Sequence, residues 1–233
     1  MSINIHPVGT IRTPYKEKFA IPRQPGLAKS AIGEISFYQK YNDPNYIRGI
    51  EQFSHVWLLF HFHQTADKGH SPLVRPPRLG GNQKQGVFAT RSTFRPNSIG
   101  MSVVEFAEVR YKNKQLVLAV RGVDLLDGTP VLDIKPYVPY ADSQPQALGG
   151  MAQHEPELMT VIFSNQAKEQ LDQLTSRYPT LTSLISEVLS QDPRPAYHQN
   201  SRSDKSYGMT LYDLNIQWRV MDHQNVVDSI QKI

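Results

Sequence analysis

The sequence predicts a mainly β protein, an N-terminal β-barrel followed by a smaller C-terminal α+β domain, and three observations predict it. Between Ile3 and Tyr140 the chain is a series of short strand-like runs separated by Pro and Gly turns, with no crossover-length helical pattern. Such a series favours a closed or nearly closed antiparallel sheet over a doubly wound parallel one. The stretch ADSQPQALGGMAQHEPE, residues 141–157, then shifts the composition to Gln, Pro and Gly, as linkers do. Beyond it, helical periodicity enters for the first time. The divisions are a β-barrel domain at 1–143, a linker at 144–157 and an α+β domain at 158–233.

Taken in order, residues 3–11 form the first strand, ended by Arg12-Thr13-Pro14 because Pro cannot donate to a ladder. Residues 15–30 are a polar loop turned by Pro22, Pro25 and Gly26. Residues 33–41 give a second strand. FSHVWLLFHF, residues 53–62, is apolar on both parities and reads as a strand buried on both faces. Residues 63–85 carry no periodic pattern, and loops of that length in a compact domain are functional or disordered. Residues 101–110 and 115–123 pair as a hairpin about Lys112-Asn113-Lys114. Asp127-Gly128 is a turn signal, and a strand follows that ends at Pro136.

In the C-terminal part, residues 159–163 form a strand, and Ser164 or Asn165 caps a helix presenting Ala167, Leu171, Leu174 and Tyr178 on one face. Thr182 caps a second helix carrying Leu181, Leu184, Ile185, Val188 and Leu189, stopped by Pro193 and Pro195. Tyr212, Leu214, Ile216, Trp218 and Val220 alternate with polar residues, so 209–220 reads as one half-exposed strand. Residues 226–230 pair with it across 222–225.

Composition bounds the chemistry. With 39% apolar and 20% charged residues the chain suits a soluble globular protein. No window approaches the ~18 apolar residues of a membrane span, and MSINIHPVGT lacks the basic and apolar regions of a signal peptide, so a cytoplasmic location is expected. Zero Cys excludes disulfides, thiolate metal sites and thiol nucleophiles. The formal charge of +4, with basic residues concentrated in polar loops, permits a nucleic-acid partner without requiring one. GxGxxG, GxxxxGK[ST], HExxH and GxSxG are all missing, so Rossmann cofactor binding, P-loop phosphate binding and serine hydrolysis lack their usual support. His61 and His63 share a strand face with His55, but no carboxylate joins them, and no metal is expected.

The informative stretch is GVFATRSTFRPNSIGMS, residues 86–102. Between Ala89 and Ile99 its only large apolar side chain is Phe94, and it offers two guanidinium forks, Arg91 and Arg95, beside the hydroxyl side chains of Thr90, Ser92 and Thr93 and the amide of Asn97. A polar loop between rigid strands is where binding residues collect. A plain solvated basic loop is the alternative.

Together with YKEKFAIPRQPGLAKSA, FSHVWLLFHFHQT, RPPRLGGN, DGTPVLDIKPY and QDPRPAY, this stretch resembles the signature segments of the TsaA/TrmO-like family of tRNA threonylcarbamoyladenosine methyltransferases. The resemblance runs in order from about Ile11 to Tyr197 and continues more weakly to the end. One departure is Ser98, where the family usually has Pro after RPN; losing that ring relaxes the turn somewhat but removes no donor. The resemblance implies a TsaA-like β-barrel that binds S-adenosylmethionine, a homodimer, and N6-methylation of threonylcarbamoyladenosine (t6A), next to the anticodon at position 37 of threonine tRNA, giving m6t6A.

On that resemblance, Arg23, Gln24, Pro25, Gly26, His63, Gln64, Arg91, Met101, Asp127, Gly128, Thr129 and Pro130 are expected to bind the cofactor. Arg91 can grip a carboxylate bidentately, Gly26 lets backbone approach closely, and Met101 offers a polarizable surface for adenine. Ordinary turns remain the alternative at Pro25-Gly26 and Asp127-Gly128. Asp192, Tyr197 and Asp133 are the candidate bases, with Arg194 or Lys135 for the threonyl carboxylate. QDPRPAY is alternatively a mere helix stop. Arg75, Arg78, Lys84 and Arg202 are expected at tRNA phosphates, and Arg95 and Asn97 at the substrate. Two other functions stay open: a non-catalytic RNA-binding module, and a methyltransferase for another RNA base or a small molecule.

Overall fold

The computed structural model describes residues 3–194 and 205–233. They pack as two compact units, one of Met1–Arg12, Gly33–Arg121 and Gly128–Glu155, the other of Thr13–Ile32, Gly122–Asp127 and Pro156–Ile233. The chain is mainly β. No helix among the described residues is long and apolar enough to cross a membrane.

The strands of the first unit are β1 (Gly9–Arg12), β2 (Ile32–Phe37), β3 (His55–His61), β4 (Leu73–Val74), β5 (Gln85–Gly86), β6 (Ile99–Lys112), β7 (Gln115–Arg121) and β8 (Thr129–Pro136), followed by the short helix α1 (Pro139–Asp142). Six of them form one antiparallel sheet in the order β1-β2-β7-β6-β3-β8, in which β1 pairs with β8 as well as with β2. The inner face is apolar and buried: Ile11, Ile35, Val56, Leu58, Val104, Leu116, Leu118 and Val131 are at most 1% exposed. At Gly100 an added Cβ would lie 2.3 Å from the Phe60 ring, so a glycine is what lets that aromatic lie flat on β6. Glu34 on β2 accepts from Arg12, its partner on β1, and from Arg110 on β6.

Several expectations need correction here. The first strand is only the four residues of β1; residues 3–8 lie outside it. β3 is buried on one face, with Val56, Leu58 and Phe60 inward, while His55, Trp57, Leu59 and His61 are exposed or half-exposed. Its second face is apolar because Trp57 packs against Tyr137, with ring centroids 5.9 Å apart, not because a second layer covers it. The 63–85 segment does have structure: β4 and β5 pair within it and close a long excursion. Asp127-Gly128 leads into β8 without closing a hairpin, since β7 and β8 are not neighbours. The β6–β7 hairpin forms as expected, with Asn113 and Lys114 both left-handed (φ 51° and 64°), the geometry of a tight primed turn.

In the second unit, β9 (Thr160–Phe163), α2 (Asn165–Leu174), α3 (Leu181–Ser190), β10 (Ser206–Leu211), β11 (Leu214–Met221) and β12 (Gln224–Lys232) build a four-stranded sheet, order β10-β11-β12-β9, with the two helices. Ser164 caps α2, its hydroxyl accepting from the Ala167 amide. The α3 cap is Thr180, two residues before the expected Thr182. The run at 209–220 is the end of β10, a turn and then β11: Tyr212 is left-handed (φ 57°), and the buried parity switches from Met209 and Leu211 to Leu214, Ile216 and Trp218 across it. A strand without a bulge keeps its parity, and here the turn is what changes it. Asn225, fully buried, donates to the Leu189 carbonyl at 2.8 Å and ties β12 to α3.

Candidate functional site

In the first unit the structure stitches the two polar loops together. The Phe62 amide donates to the Ser98 carbonyl at 2.8 Å, Ser71 to Phe94 at 3.3 Å and Val87 to Pro72 at 3.0 Å, with the β4–β5 pair between. His63 and Gln64, far from the 86–98 loop in sequence, thereby belong to the same loop layer as Arg91 and Arg95.

The 86–98 loop is shaped by its own polar side chains. Arg95 Nη1 donates to the carbonyls of Thr90 (2.7 Å) and Val87 (3.3 Å), and its guanidinium carbon lies 5.9 Å from the centre of the Phe88 ring. Thr90 Oγ1 donates to the Val87 carbonyl (2.9 Å) and accepts from the Ser92 amide (3.2 Å), and Ser92 Oγ accepts from the Phe94 amide (3.3 Å). The hydroxyls that stood out in the sequence therefore build the turn, as short hydroxyl side chains do in such turns. Arg95 is the brace of this loop, whereas Arg91, Pro96 and Asn97 present themselves on its surface.

Ser98 corrects the expectation drawn from the departure at that position. It is buried and left-handed (φ 49°), and its amide donates to the Arg95 carbonyl at 3.1 Å. A proline ring, fixed near φ −65° and lacking that N–H, cannot occupy this geometry. The serine adds a hydrogen bond and closes the turn.

His63 is held below the usual imidazole range: burial lowers it most, a backbone hydrogen bond involving His61 acts in the opposite direction, and the neighbouring His61 ring lowers it further. It is therefore a neutral imidazole at pH 7, able to donate from one nitrogen and accept at the other. Its Nε2 lies 3.5 Å from Gln64 Nε2.

Cross-strand register places Met101 on β6 opposite Leu59 on β3, and Leu59 opposite Asp133 on β8. The next row on that outward face is Val103, Trp57 and Lys135. Met101 is 54% exposed, and Asp133 and Lys135 are exposed as well. Two strand spacings separate Met101 from Asp133, about 10 Å. Asp133 Oδ1 accepts from the Ile134 amide at 2.9 Å. Gly128 is left-handed, and an added Cβ there would meet nothing within 4 Å. Thr129 is buried, and Thr129 and Pro130 lie in the β1–β8 ladder opposite Ile11 and Thr10. Arg78 Nη1 donates to the His154 carbonyl at 2.7 Å, which fixes this arginine's outer end, while Arg75 and Lys84 are exposed.

In the second unit, residues 23–26 form a turn in which Gly26 (φ 78°) donates to the Gly122 carbonyl at 2.8 Å; Arg23 is exposed and Gln24 and Pro25 half-exposed. The side of Gly26 where a Cβ would stand is open space. Asp127 holds the segment after β1: its Oδ1 accepts from the Thr13 amide (2.9 Å) and its Oδ2 from Lys16 Nζ (2.6 Å). That carboxylate supports structure, so only the backbone around it suits a ligand.

Asp192 and Arg194 are brought together as a bidentate pair, Nε to Oδ1 at 2.7 Å and Nη2 to Oδ2 at 2.9 Å, with the arginine side chain 7% exposed. Both carboxylate oxygens accept charge-assisted bonds, an arrangement that orients Arg194 more readily than it frees a lone pair to take a proton. Tyr197 and Arg202 lie outside the described residues. Among the described residues no group of three or more His, Cys, Asp or Glu could hold a metal ion.

Sequence reasoning overlooked two side chains here. Phe88 is 78% exposed in the single turn Val87–Ala89 that begins the 86–98 loop, beside Arg95. Trp57 stands on the outward face next to Lys135, its indole donating to Asp142 Oδ2 at 3.0 Å. An aromatic strand reads as core, and only register shows which face is bare.

The family model for the tRNA-methyltransferase O N-terminal domain matches residues 10–143, and that for the TrmO C-terminal domain matches residues 156–233. The chain is 54% identical over 222 residues to the tRNA (adenine(37)-N6)-methyltransferase of Escherichia coli (strain K12), covering 95% of this chain and 94% of that protein. It is 48% identical over 219 residues to the putative S-adenosylmethionine-dependent methyltransferase RcsF of Pseudomonas aeruginosa, covering 94% and 93%. Among solved structures, the crystal structure of TrmO from Pseudomonas aeruginosa superposes with a TM-score of 0.82 at 39% identity over 99% of both chains. With both parts matched in order, the chain belongs to the tRNA-methyltransferase O family.

Proposed function

We propose that the chain transfers the methyl group of S-adenosylmethionine to N6 of t6A at position 37 of threonine tRNA, giving m6t6A, as a cytoplasmic homodimer. Family membership carries the coarser activity, S-adenosylmethionine-dependent methylation of an adenine N6 in tRNA. The finer reading is supported by one observation above the others: the 86–98 loop, whose sequence prompted it, is a self-braced turn that presents Arg91 and Asn97 outward. The pairing of β1 with both β2 and β8 supports reading the six-stranded sheet as a closed, TsaA-like barrel within residues 1–143, with 144–157 as linker and 158–233 as the α+β domain.

The residues present fit a cofactor that carries a carboxylate, an ammonium, a ribose diol and an adenine. Open backbone stands at Gly26 and Gly128, a guanidinium at Arg91, a polarizable surface at Met101, amides at Gln24 and Gln64, and a neutral imidazole at His63. Thr129 and Pro130 hold Gly128 at the start of β8. Arg23 and Pro25 shape the approach to Gly26, and Asp127 anchors the segment before Gly128. When bound, S-adenosylmethionine supplies a methyl already activated on a sulfonium. What remains for the protein is in-line positioning, worth up to about 7–11 kcal/mol, and help with the acceptor proton, worth about 10²–10⁴-fold.

The carbamoyl group acidifies the acceptor N–H, and three groups are proposed to receive that proton: Asp133, Tyr197 and Asp192. Asp133 is favoured among the described ones, because it is exposed in the cross-strand row that contains Met101. Lys135, one row along the same face, suits the threonyl carboxylate; Arg194, oriented by Asp192, is the alternative. Arg75, Arg78, Lys84 and Arg202 are proposed at phosphates, and Arg95 and Asn97 at the anticodon loop.

The test is mass spectrometry of threonine tRNA from cells with and without the gene. Loss of m6t6A with accumulation of t6A is expected. Unchanged m6t6A would overturn the substrate, and no heat on titration with S-adenosylmethionine would reduce the protein to an RNA-binding module. Single Asp133→Asn, Asp192→Asn and Tyr197→Phe variants that all keep full transfer would remove the general base.

A further inference from the structure

Within the first unit and apart from the loops discussed above, the segment before β3 and the outer end of β6 enclose an open recess of about 260 Å³. Its walls are apolar at Pro44, Ile47 and Val109, aromatic at Tyr111, and charged at Arg48 and Glu51. That is below the roughly 300–1,000 Å³ of sites for drug-sized ligands, and of a size for one flat ring system. Tyr111 is 57% exposed. Among the described residues neither the Tyr111 hydroxyl nor the Glu51 carboxylate has a hydrogen-bond partner, whereas Arg48 is steadied by donating to Asn45 Oδ1.

The recess is built into the fold. Asn42 donates to the Lys114 carbonyl at 3.0 Å and accepts from the Leu116 amide at 2.7 Å, which locks the segment before β3 onto the β6–β7 hairpin. The same segment carries Tyr46, 63% exposed and edge-on to Tyr41 at 5.7 Å, and Lys40, 5.3 Å from the centre of the Tyr41 ring. Lys112 and Lys114 extend the basic surface, against the acidic residues Asp43 and Glu51. Exposed aromatic rings interleaved with cations are what single-stranded RNA stacks on.

We infer that this recess takes an unpaired guanosine of the tRNA, at a position other than the methylated adenosine, by stacking on Tyr111, with Glu51 reading its edge and Arg48 at a phosphate. Glu51 offers carboxylate oxygens that accept hydrogen bonds, and guanine alone among the bases offers two adjacent donors, N1–H and the N2 amine, on its pairing edge. Adenine turns an acceptor, N1, toward the same position.

The inference rests on a tRNA substrate and is tested separately from methyl transfer. Fluorescence anisotropy would compare fluorescein-labelled UUGUUU, UUAUUU and the inosine analogue, with unlabelled threonine tRNA and GMP as competitors. The native protein should bind the guanosine oligonucleotide about fivefold or more tighter than the adenosine one, with inosine between. Glu51→Gln should cut that preference below about twofold while retaining transfer at saturating tRNA, and Tyr111→Ala should weaken both oligonucleotides about fivefold or more. Thermal melts of the variants would confirm that they fold. Equal binding of the two oligonucleotides by the native protein overturns the inference. So does GMP competing as tightly as the oligonucleotide, which makes the recess a mononucleotide site. Conversion of a dimer to a monomer by Tyr111→Ala would instead make it a contact between copies. Loss of m6t6A formation in the native protein would sink the proposed function and leave the oligonucleotide preference standing.

Discussion

Arg194 forks onto Asp192, two residues earlier, with both bonds under 3 Å and the guanidinium almost wholly enclosed. Asp192 itself is left-handed (φ 48°), a conformation that Asn also accepts. Asp192→Asn therefore preserves the backbone and removes half of the fork. Stability should fall by about 1–3 kcal/mol, the cost of leaving a buried partner short of an acceptor. Differential scanning calorimetry should show a lower Tm, with S-adenosylmethionine affinity intact by titration calorimetry.

Arg95 spans the 86–98 loop from inside. Arg95→Ala removes its bonds to Thr90 and Val87 and its contact with Phe88. The loop is peripheral, so the melting temperature should change little, while the Kd for S-adenosylmethionine or the KM for tRNA should rise about tenfold, as loss of a charged hydrogen bond of about 1.5–3 kcal/mol implies. Arg95→Lys should recover only part of this, because an ammonium cannot reproduce the planar fork.

Ser98→Pro restores the residue the family usually carries and should nonetheless harm this chain. It demands a φ near −65° where the turn needs +49°, and deletes the amide that bonds Arg95. Urea unfolding should show a loss of more than about 1 kcal/mol, and Ser98→Gly, which fits the angle, should lose less.

Glu34 sets an acid-side dependence. Burial pushes its carboxyl up, but the hydrogen bond from Arg12 and the charges of Arg110, Arg12 and Lys112 outweigh burial and hold it below the usual range of about 4.5. A group whose folded pKa is depressed contributes stability that is present above the unfolded pKa and lost as pH falls through the folded one. Chemical denaturation at pH 7 and pH 3 should therefore show a smaller difference for Glu34→Gln than for the native chain. An identical difference would show that the pair with Arg12 and Arg110 contributes nothing.

How much of this was legible beforehand depends on which signals are local. The β6–β7 hairpin could be read because Lys112, Asn113 and Lys114 interrupt two apolar runs. The turn at Tyr212 and Asp213 could not, since it uses neither Gly nor Pro; the parity switch from Leu211 to Leu214 was its only trace. The bare face of β3 was hidden for a different reason: Trp57 and Leu59 are as apolar as core residues, and exposure is a property of the sheet. For the site, the loop at 86–98 was legible as polar and arginine-rich. That Arg95 faces inward, that Thr90 and Ser92 close turns, and that Asp192 holds Arg194 are facts of geometry which composition does not encode.

The tip of the β6–β7 hairpin has a last implication, for engineering. Lys114 occupies a mirror-image backbone well that an L side chain enters at a penalty of about 1–2 kcal/mol. Glycine would enter it free of that penalty, yet would surrender a cation beside the guanosine recess. A library selected for heat resistance alone should therefore enrich Lys114→Gly, and the enriched clones should be sturdier proteins that hold RNA less well.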